Sequence, residues 1–262
     1  MPFSSKRHIV LSGILVFCHF YSARAQIVGN PIEVRGAREW TVGLHVNYAR
    51  QDIDSLLTTS KRLLVRSTWG LTPHLDFYLT AGAVQLDIST GEPQFSDYAG
   101  AAAFAYGAGF NFALQRISTE RPVGVWLGGH ILRFPSNGSF IESLTSTESG
   151  IYREFEMTYD WLEIQGSLGL IVPVGRFHFY ASFVTVSITR RDTKAEYLIA
   201  GDSKTLNGED RAKYRSGLMN AALAGIELTL PGRHAVTVEL MYRNKKDYRV
   251  MAGICQTGIG AP

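Results

Sequence analysis

The stretch FAYGAGFNFALQ, residues 104–115, constrains this chain more than any other. Phe104, Tyr106, Ala108, Phe110, Phe112 and Leu114 alternate with Ala105, Gly107, Gly109, Asn111, Ala113 and Gln115. A strand sends successive side chains to opposite faces, so the pattern predicts one apolar face and one small or polar face. The stretch EWTVGLHVNYA, residues 39–49, reads the same way, with Trp40, Val42, Leu44, Val46 and Tyr48 on the apolar side. In a water-soluble sheet the apolar face is the core. In an outer-membrane barrel it is the outside.

The alternation recurs along the chain. Leu63, Val65 and Trp69 oppose Arg62, Leu64, Arg66 and Thr68, and Leu75, Phe77, Leu79 and Ala81 oppose Asp76, Tyr78, Thr80 and Gly82. Val123–Phe134 reads as a strand whose facing stays open. Leu162, Ile164, Leu168 and Leu170 oppose Trp161, Glu163, Gln165 and Ser167, and Phe177, Phe179 and Phe183 share a face. Ala222, Ala224, Ile226 and Leu228 oppose Leu223, Gly225 and Glu227. Val236, Val238, Leu240 and Tyr242 oppose Thr237, Glu239, Met241 and Arg243, and Tyr248, Val250, Ala252 and Ile254 oppose Arg249, Met251 and Gly253. The sum is about ten strands of roughly nine to twelve residues, long enough to cross a bilayer at a tilt; eight is the smaller alternative. The connections alternate in length. Arg50–Lys61, Asp87–Gly100, Pro135–Met157 and Ile188–Ser216 are long, whereas Leu71–His74, Ile117–Pro122, Pro173–Arg176 and Pro231–His234 are short. Outer-membrane barrels sort their connections this way, with short periplasmic turns and longer extracellular loops. Only Asn244–Asp247 breaks the pattern. A soluble lipocalin-like barrel or sandwich is the alternative, and it has no reason to sort its loops by side.

The first 25 residues read as a leader. Lys6, Arg7 and His8 precede the apolar run Ile9–Phe17, and Ala23-Arg24-Ala25 supplies a small-residue cleavage site before Gln26. The run is too short for a spanning helix, and the context of Cys18 does not look like a lipoprotein site. Cleavage after Ala25 removes Lys6, Arg7 and Arg24 and no acid, leaving 23 basic residues against 23 acidic. A basic balance that would suggest nucleic acid is then gone. Cys255 stays alone after Cys18 departs, so no internal disulfide forms, and a lone strand thiol reads as an apolar filler. Residues 26–37 are expected as a periplasmic segment, 38–256 as the barrel and 257–262 as a tail.

The polar faces carry Arg62, Arg66, Asp76, Glu163, Glu227, Glu239, Arg243 and Arg249. An Arg or Lys turned toward lipid at the midplane costs about 2–4 kcal/mol, so these charges are expected in the lumen. There they pair into a plug that fixes register, or line a narrow conduit. Trp40, Val42, Leu44, Phe104, Tyr106, Phe110 and Phe112 are expected to face lipid. Enzyme chemistry has little support. Asp52 and Asp54 at a hairpin end invite comparison with omptin-type proteases, but no Asp-x-His sequence appears in the later loops. His130 is followed by Ile131 and Leu132 with no Ser within two positions, unlike a lipid A deacylase pair. His45 and His130 share no cluster that argues for a metal, and there is no nucleotide-binding fingerprint. No cofactor is expected. In the Ile188–Ser216 loop, Tyr197-Leu198-Ile199-Ala200 is an apolar patch suited to capping the barrel mouth or to meeting a partner.

GLTPHLDFYLTAGA (residues 70–83), AYGAGF (105–110) and DWLEIQ (160–165) resemble the strand–turn–strand units of small, porin-like bacterial outer-membrane β-barrel proteins. The resemblance spans about residues 35–256. It implies an all-β, up-and-down antiparallel transmembrane barrel in a Gram-negative-type outer membrane. Its partners would be outer-membrane lipid and, during biogenesis, periplasmic chaperones and the barrel-insertion machinery; a monomer is expected. The ending Thr257–Pro262 departs from the aromatic last residue usual in that family. The function expected is structural, or limited passage of small solutes; the alternatives are adhesion through the long loops and, less favoured, a barrel hydrolase.

Overall fold

The computed structural model describes residues 39–53, 56–89, 96–115, 123–143, 151–200 and 203–257. The leader, the 26–37 segment, Asp54, the 117–122 connection and residues 258–262 lie outside them. The strands in chain order are β1 (Trp40–Ile53), β2 (Leu56–Thr72), β3 (Leu75–Ser89), β4 (Tyr98–Ala99), β5 (Ala103–Gln115), β6 (Gly124–Ser143), β7 (Ile151–Val174), β8 (Phe177–Ala200), β9 (Ser203–Arg215), β10 (Met219–Leu230), β11 (His234–Asn244) and β12 (Asp247–Thr257). All their pairings are antiparallel, and β1 pairs with β12 while β8 pairs with β10. A ring of ten strands therefore closes, with β4 and β9 outside it. Closure leaves no unpaired edge, which is the condition for a sheet to exist in lipid.

The tight turns sit where the sequence places backbone that tolerates them. β7 and β8 join through Gly175 at φ +63°, and β10 and β11 through Gly232 at φ +75° and Arg233 at φ +63°. Left-handed residues match hairpin twist to strand twist.

At the opposite end the strands run on into the expected connections. β1 and β2 stay paired up to Ile53↔Leu56, and β6 and β7 up to Ser143↔Tyr152. β8 runs to Ala200 and then pairs with β9 from Ala200↔Ser203 to Thr189↔Arg215. Of the stretches expected as long loops, the described residues of 50–61, 135–157 and 188–216 are largely extensions of the strands, and those of 87–100 end β3 at Ser89 and add the short β4. Outward apolar alternation ends partway along the strands, but hydrogen-bonded pairing does not need it. At about 3.3 Å per residue, the 24 residues of β7 outrun an apolar band of ~25 Å even when tilted.

The polarity of the two faces inverts partway up. Low on β8, Phe177, Phe179 and Phe183 point outward and are exposed. Above them Val184, Val186 and Ile188 point inward and are buried, while Thr185, Ser187 and Thr189 take the outer face. β3 changes in the same sense, from outward Phe77 and Leu79 to inward Val84, Leu86 and Ile88. β6 follows, with outward Leu127 and Ile131 giving way to inward Leu132 and Phe134 and outward Arg133. The lower barrel is apolar outside; the upper barrel encloses an apolar core that includes Leu86, Leu132, Phe134, Trp161, Val184 and Ile188.

Candidate functional site

The lumen also holds charge, level with the start of that core. Glu163 on β7 accepts from Arg62 Nη2 on β2 at 2.9 Å and from Arg249 Nη2 on β12 at 2.6 Å. None of the three side chains is more than 2% exposed. Around the ring, β7 is separated from β2 and from β12 by three intervening strands on either side. The carboxylate therefore bridges the barrel instead of neighbouring strands. Each of its oxygens faces a guanidinium, the arrangement in which a buried carboxylate is tolerated. Arg62 also donates through Nε to Ser60 Oγ at 3.0 Å, and its guanidinium lies 5.7 Å from the centre of the Phe134 ring.

A second group surrounds Arg66, whose guanidinium sits 3.2 Å from the centroid of Tyr78. Tyr78 donates to the carbonyl of Gly129 at 3.2 Å and stacks on His130 at 5.7 Å. Gly109 makes room for this, since a Cβ there would overlap the Tyr78 ring. Glu239 accepts from the Tyr180 hydroxyl at 2.6 Å, and Thr237 donates to Glu227 at 3.4 Å.

Of the charges expected in the lumen, Arg62, Arg66, Asp76, Glu163, Glu227, Glu239 and Arg249 are buried in the interior. Arg243 is not. It is on the expected face of β11, but the β11–β12 register slips between Tyr242 and Asn244 as the hairpin turns. Its side chain, 39% exposed, meets Asp247 at 3.0 Å instead. Trp40, Phe104, Tyr106, Phe110 and Phe112 are exposed on the outer face, and Val42 and Leu44 are half-buried on the same face. His45 and His130 are both buried inside. Asp52 meets Lys246 at 3.6 Å at the outer rim. Leu198 is exposed and Ile199 buried, so the 197–200 patch is a strand end whose faces diverge.

Pattern reasoning missed the apolar interior of the upper barrel. Its signal was present in VTVSI, residues 184–188, where the alternation continues with its phase reversed relative to Phe177, Phe179 and Phe183. The core and the bridging triad together leave the lumen occupied by side chains. Trp126, Trp161, Arg66, Arg249, Tyr78 and Phe134 are each under 2% exposed.

The whole architecture is similar to the translocator domain of the autotransporter NalP from Neisseria meningitidis. The TM-score is 0.55 at 10% identity, covering 94% of this chain and 95% of that one. The fold is that of an outer-membrane β-barrel. Looser likenesses are the outer membrane protease OmpT from Escherichia coli (TM-score 0.40, 10% identity, 84% of this chain and 94% of that one) and the beta domain of the Bordetella autotransporter BrkA (TM-score 0.40, 8% identity, 86% and 99%). No protein-family model matches the barrel sequence, and no curated protein does so.

Proposed function

We propose that this chain is a non-enzymatic barrel of the bacterial outer membrane, exported with cleavage after Ala25, whose shut lumen makes it a scaffold for the β-hairpins that stand above the membrane. The observation that carries this is the Arg62–Glu163–Arg249 bridge spanning a lumen already filled by aromatic and aliphatic side chains. An exterior band of exposed apolar side chains, among them Val65, Leu79, Leu168 and Leu240, is solvated by lipid and not by water. In planar bilayers the purified protein should give no steady conductance. Stable channels would overturn the scaffold reading. Outer-membrane fractionation and a mobility shift on an unboiled gel test the location: a soluble periplasmic product without the shift sinks it.

A second reading, limited passage of small solutes, has one observation in its favour. His130, Trp126 Nε1, Trp161 Nε1 and Gln165 Oε1 are buried with no protein hydrogen-bond partner among the described residues. Such groups inside a barrel are satisfied by water, and a hydrated lumen is the starting point of a conduit. A steady conductance of the wild type that Glu163→Ala enlarges would favour this reading.

A further inference from the structure

The outer wall has a concavity of about 600 Å³ that the lumen does not explain. It crosses β3, β5, β6, β7 and β8, and Leu79, Ala108, Ile131, Arg133, Asp160 and Arg191 point away from the barrel interior. Its lower part is apolar: Ala108 leaves a gap between Leu79 and Ile131, its partners across the β3–β5 and β5–β6 pairings. Its upper part is charged. Arg133 forms a two-point pair with Asp160, at 2.9 Å from Nε and 2.7 Å from Nη2. Arg191 faces Asp160 across the β7–β8 pairing, and Lys213 faces Arg191 across β8–β9. Arg133 and Arg191 thus flank one carboxylate, Lys213 lies one strand beyond Arg191, and the excess is positive.

The level of this wall matters. Arg133 lies nine residues beyond Gly124 on β6, roughly 23 Å up the barrel at ~3.3 Å per residue and ~40° tilt. The apolar band of such barrels is ~25 Å tall. Arg133 also marks the point on β6 at which the polarity of the faces inverts. The groove therefore begins within the band and ends at its outer boundary. Its size is within the roughly 300–1,000 Å³ of small-ligand sites.

We infer that this groove binds one lipid of the leaflet on the long-hairpin side, a phosphate-headed lipid whose acyl chain lies over Ala108 and whose phosphate is held by Arg133 and Arg191. Arginine suits phosphate because its guanidinium stays charged and carries five N–H donors, so Arg133 can hold Asp160 through Nε and Nη2 and still offer donors to a phosphate. Asp160 holds the Arg133 guanidinium in place against the wall, and Arg191 supplies the charge that Asp160 leaves uncompensated. The inference rests on the membrane placement proposed above.

The test is native mass spectrometry of the folded barrel in dodecyl maltoside, titrated with dioleoyl phosphatidic acid and, in parallel, with dioleoyl phosphatidylcholine. The wild type should retain one phosphatidic acid at least tenfold more tightly than the zwitterionic lipid. The double variant Arg133→Gln/Arg191→Gln should lose that preference. Ala108→Phe, which fills the floor and leaves both arginines in place, should weaken retention about tenfold. Inorganic phosphate at millimolar concentration should not displace the lipid. Unchanged retention in both variants overturns the inference, and so does full displacement by inorganic phosphate, which would make the wall a site for free anions. The gel mobility shift, run on each variant, separates the two failures. A shifting barrel with no lipid preference overturns this inference alone, and a chain that never shifts overturns the membrane placement beneath it.

Discussion

Glu163 is the residue on which the charged part of the lumen depends. It is fully buried and meets two guanidiniums from the far side of the ring. Replacing it by Leu leaves Arg62 and Arg249 buried without their carboxylate, and breaking a buried pair in this way costs about 3–5 kcal/mol. Urea unfolding in vesicles should show that loss. The triple variant Glu163→Leu/Arg62→Leu/Arg249→Met should recover much of it, because no charge is then stranded; an additive further loss would show that the three do not act as a unit. Phe110 tests the outer face. It is 40% exposed on the outside of β5, and Phe110→Arg should destabilise the inserted barrel by about 2–4 kcal/mol. A lipid-soluble quencher should reach a probe at position 110 and not one at 163, each placed on a Cys255→Ser background. A swap of those two behaviours would mean that the barrel is inside out.

At the scale of elements, β8 changes partner along one edge. Its lower half closes the ring against β10, from Phe177↔Leu228 to Val186↔Met219, and its upper half pairs with β9 from Thr189 onward. Ser216 bridges the handover. Its backbone N–H donates to the Ile188 carbonyl and its hydroxyl accepts from the Ile188 N–H, both at 2.8 Å. Ser216→Ala strands a buried amide, so a loss of about 1–3 kcal/mol is expected, read as faster hydrogen exchange at Ile188. The projecting hairpins behave differently. Lys204 bridges Glu156 at 2.7 Å and Glu154 at 2.9 Å, and those hydrogen bonds raise its ammonium above the ordinary lysine range. The pairs are exposed and screened by water, so Lys204→Ala should leave the unfolding midpoint unchanged within measurement error. A clear shift would mean that the extension and the barrel unfold as one. The charges of β9 also blunt it as an edge strand, since Lys204, Glu209, Asp210, Arg211, Lys213 and Arg215 discourage pairing with another chain.

For the molecule as a whole, the alternation of single strands determined a great deal. Side chains of neighbouring positions must face opposite ways, so one apolar phase fixes the facing of an entire strand wherever pairing is continuous. That is why Phe104–Gln115 and Trp40–Tyr48 sufficed to separate outside from inside, and why the rest of the chain could be read as about ten such strands. The hairpin extensions were not legible, because the rule used to find strands was apolar alternation of one phase, and pairing continues after that phase is lost. Arg243 was misplaced for a related reason: parity gives a side chain's face but not whether the strand is still inside the ring at that height. Which charges meet was also beyond the sequence. Arg62 and Arg249 lie 101 and 86 residues from Glu163 along the chain, and only ring closure, with its tilt and its count of strands, brings them to one level. The groove over Ala108 depends on the same register, since it takes five strands aligned side by side to set a small residue in the lipid band beneath a cluster of charges. Local sterics are written residue by residue, and a sequence displays them; contacts across a closed sheet are set by how many strands close it and in what stagger, which only the folded chain decides.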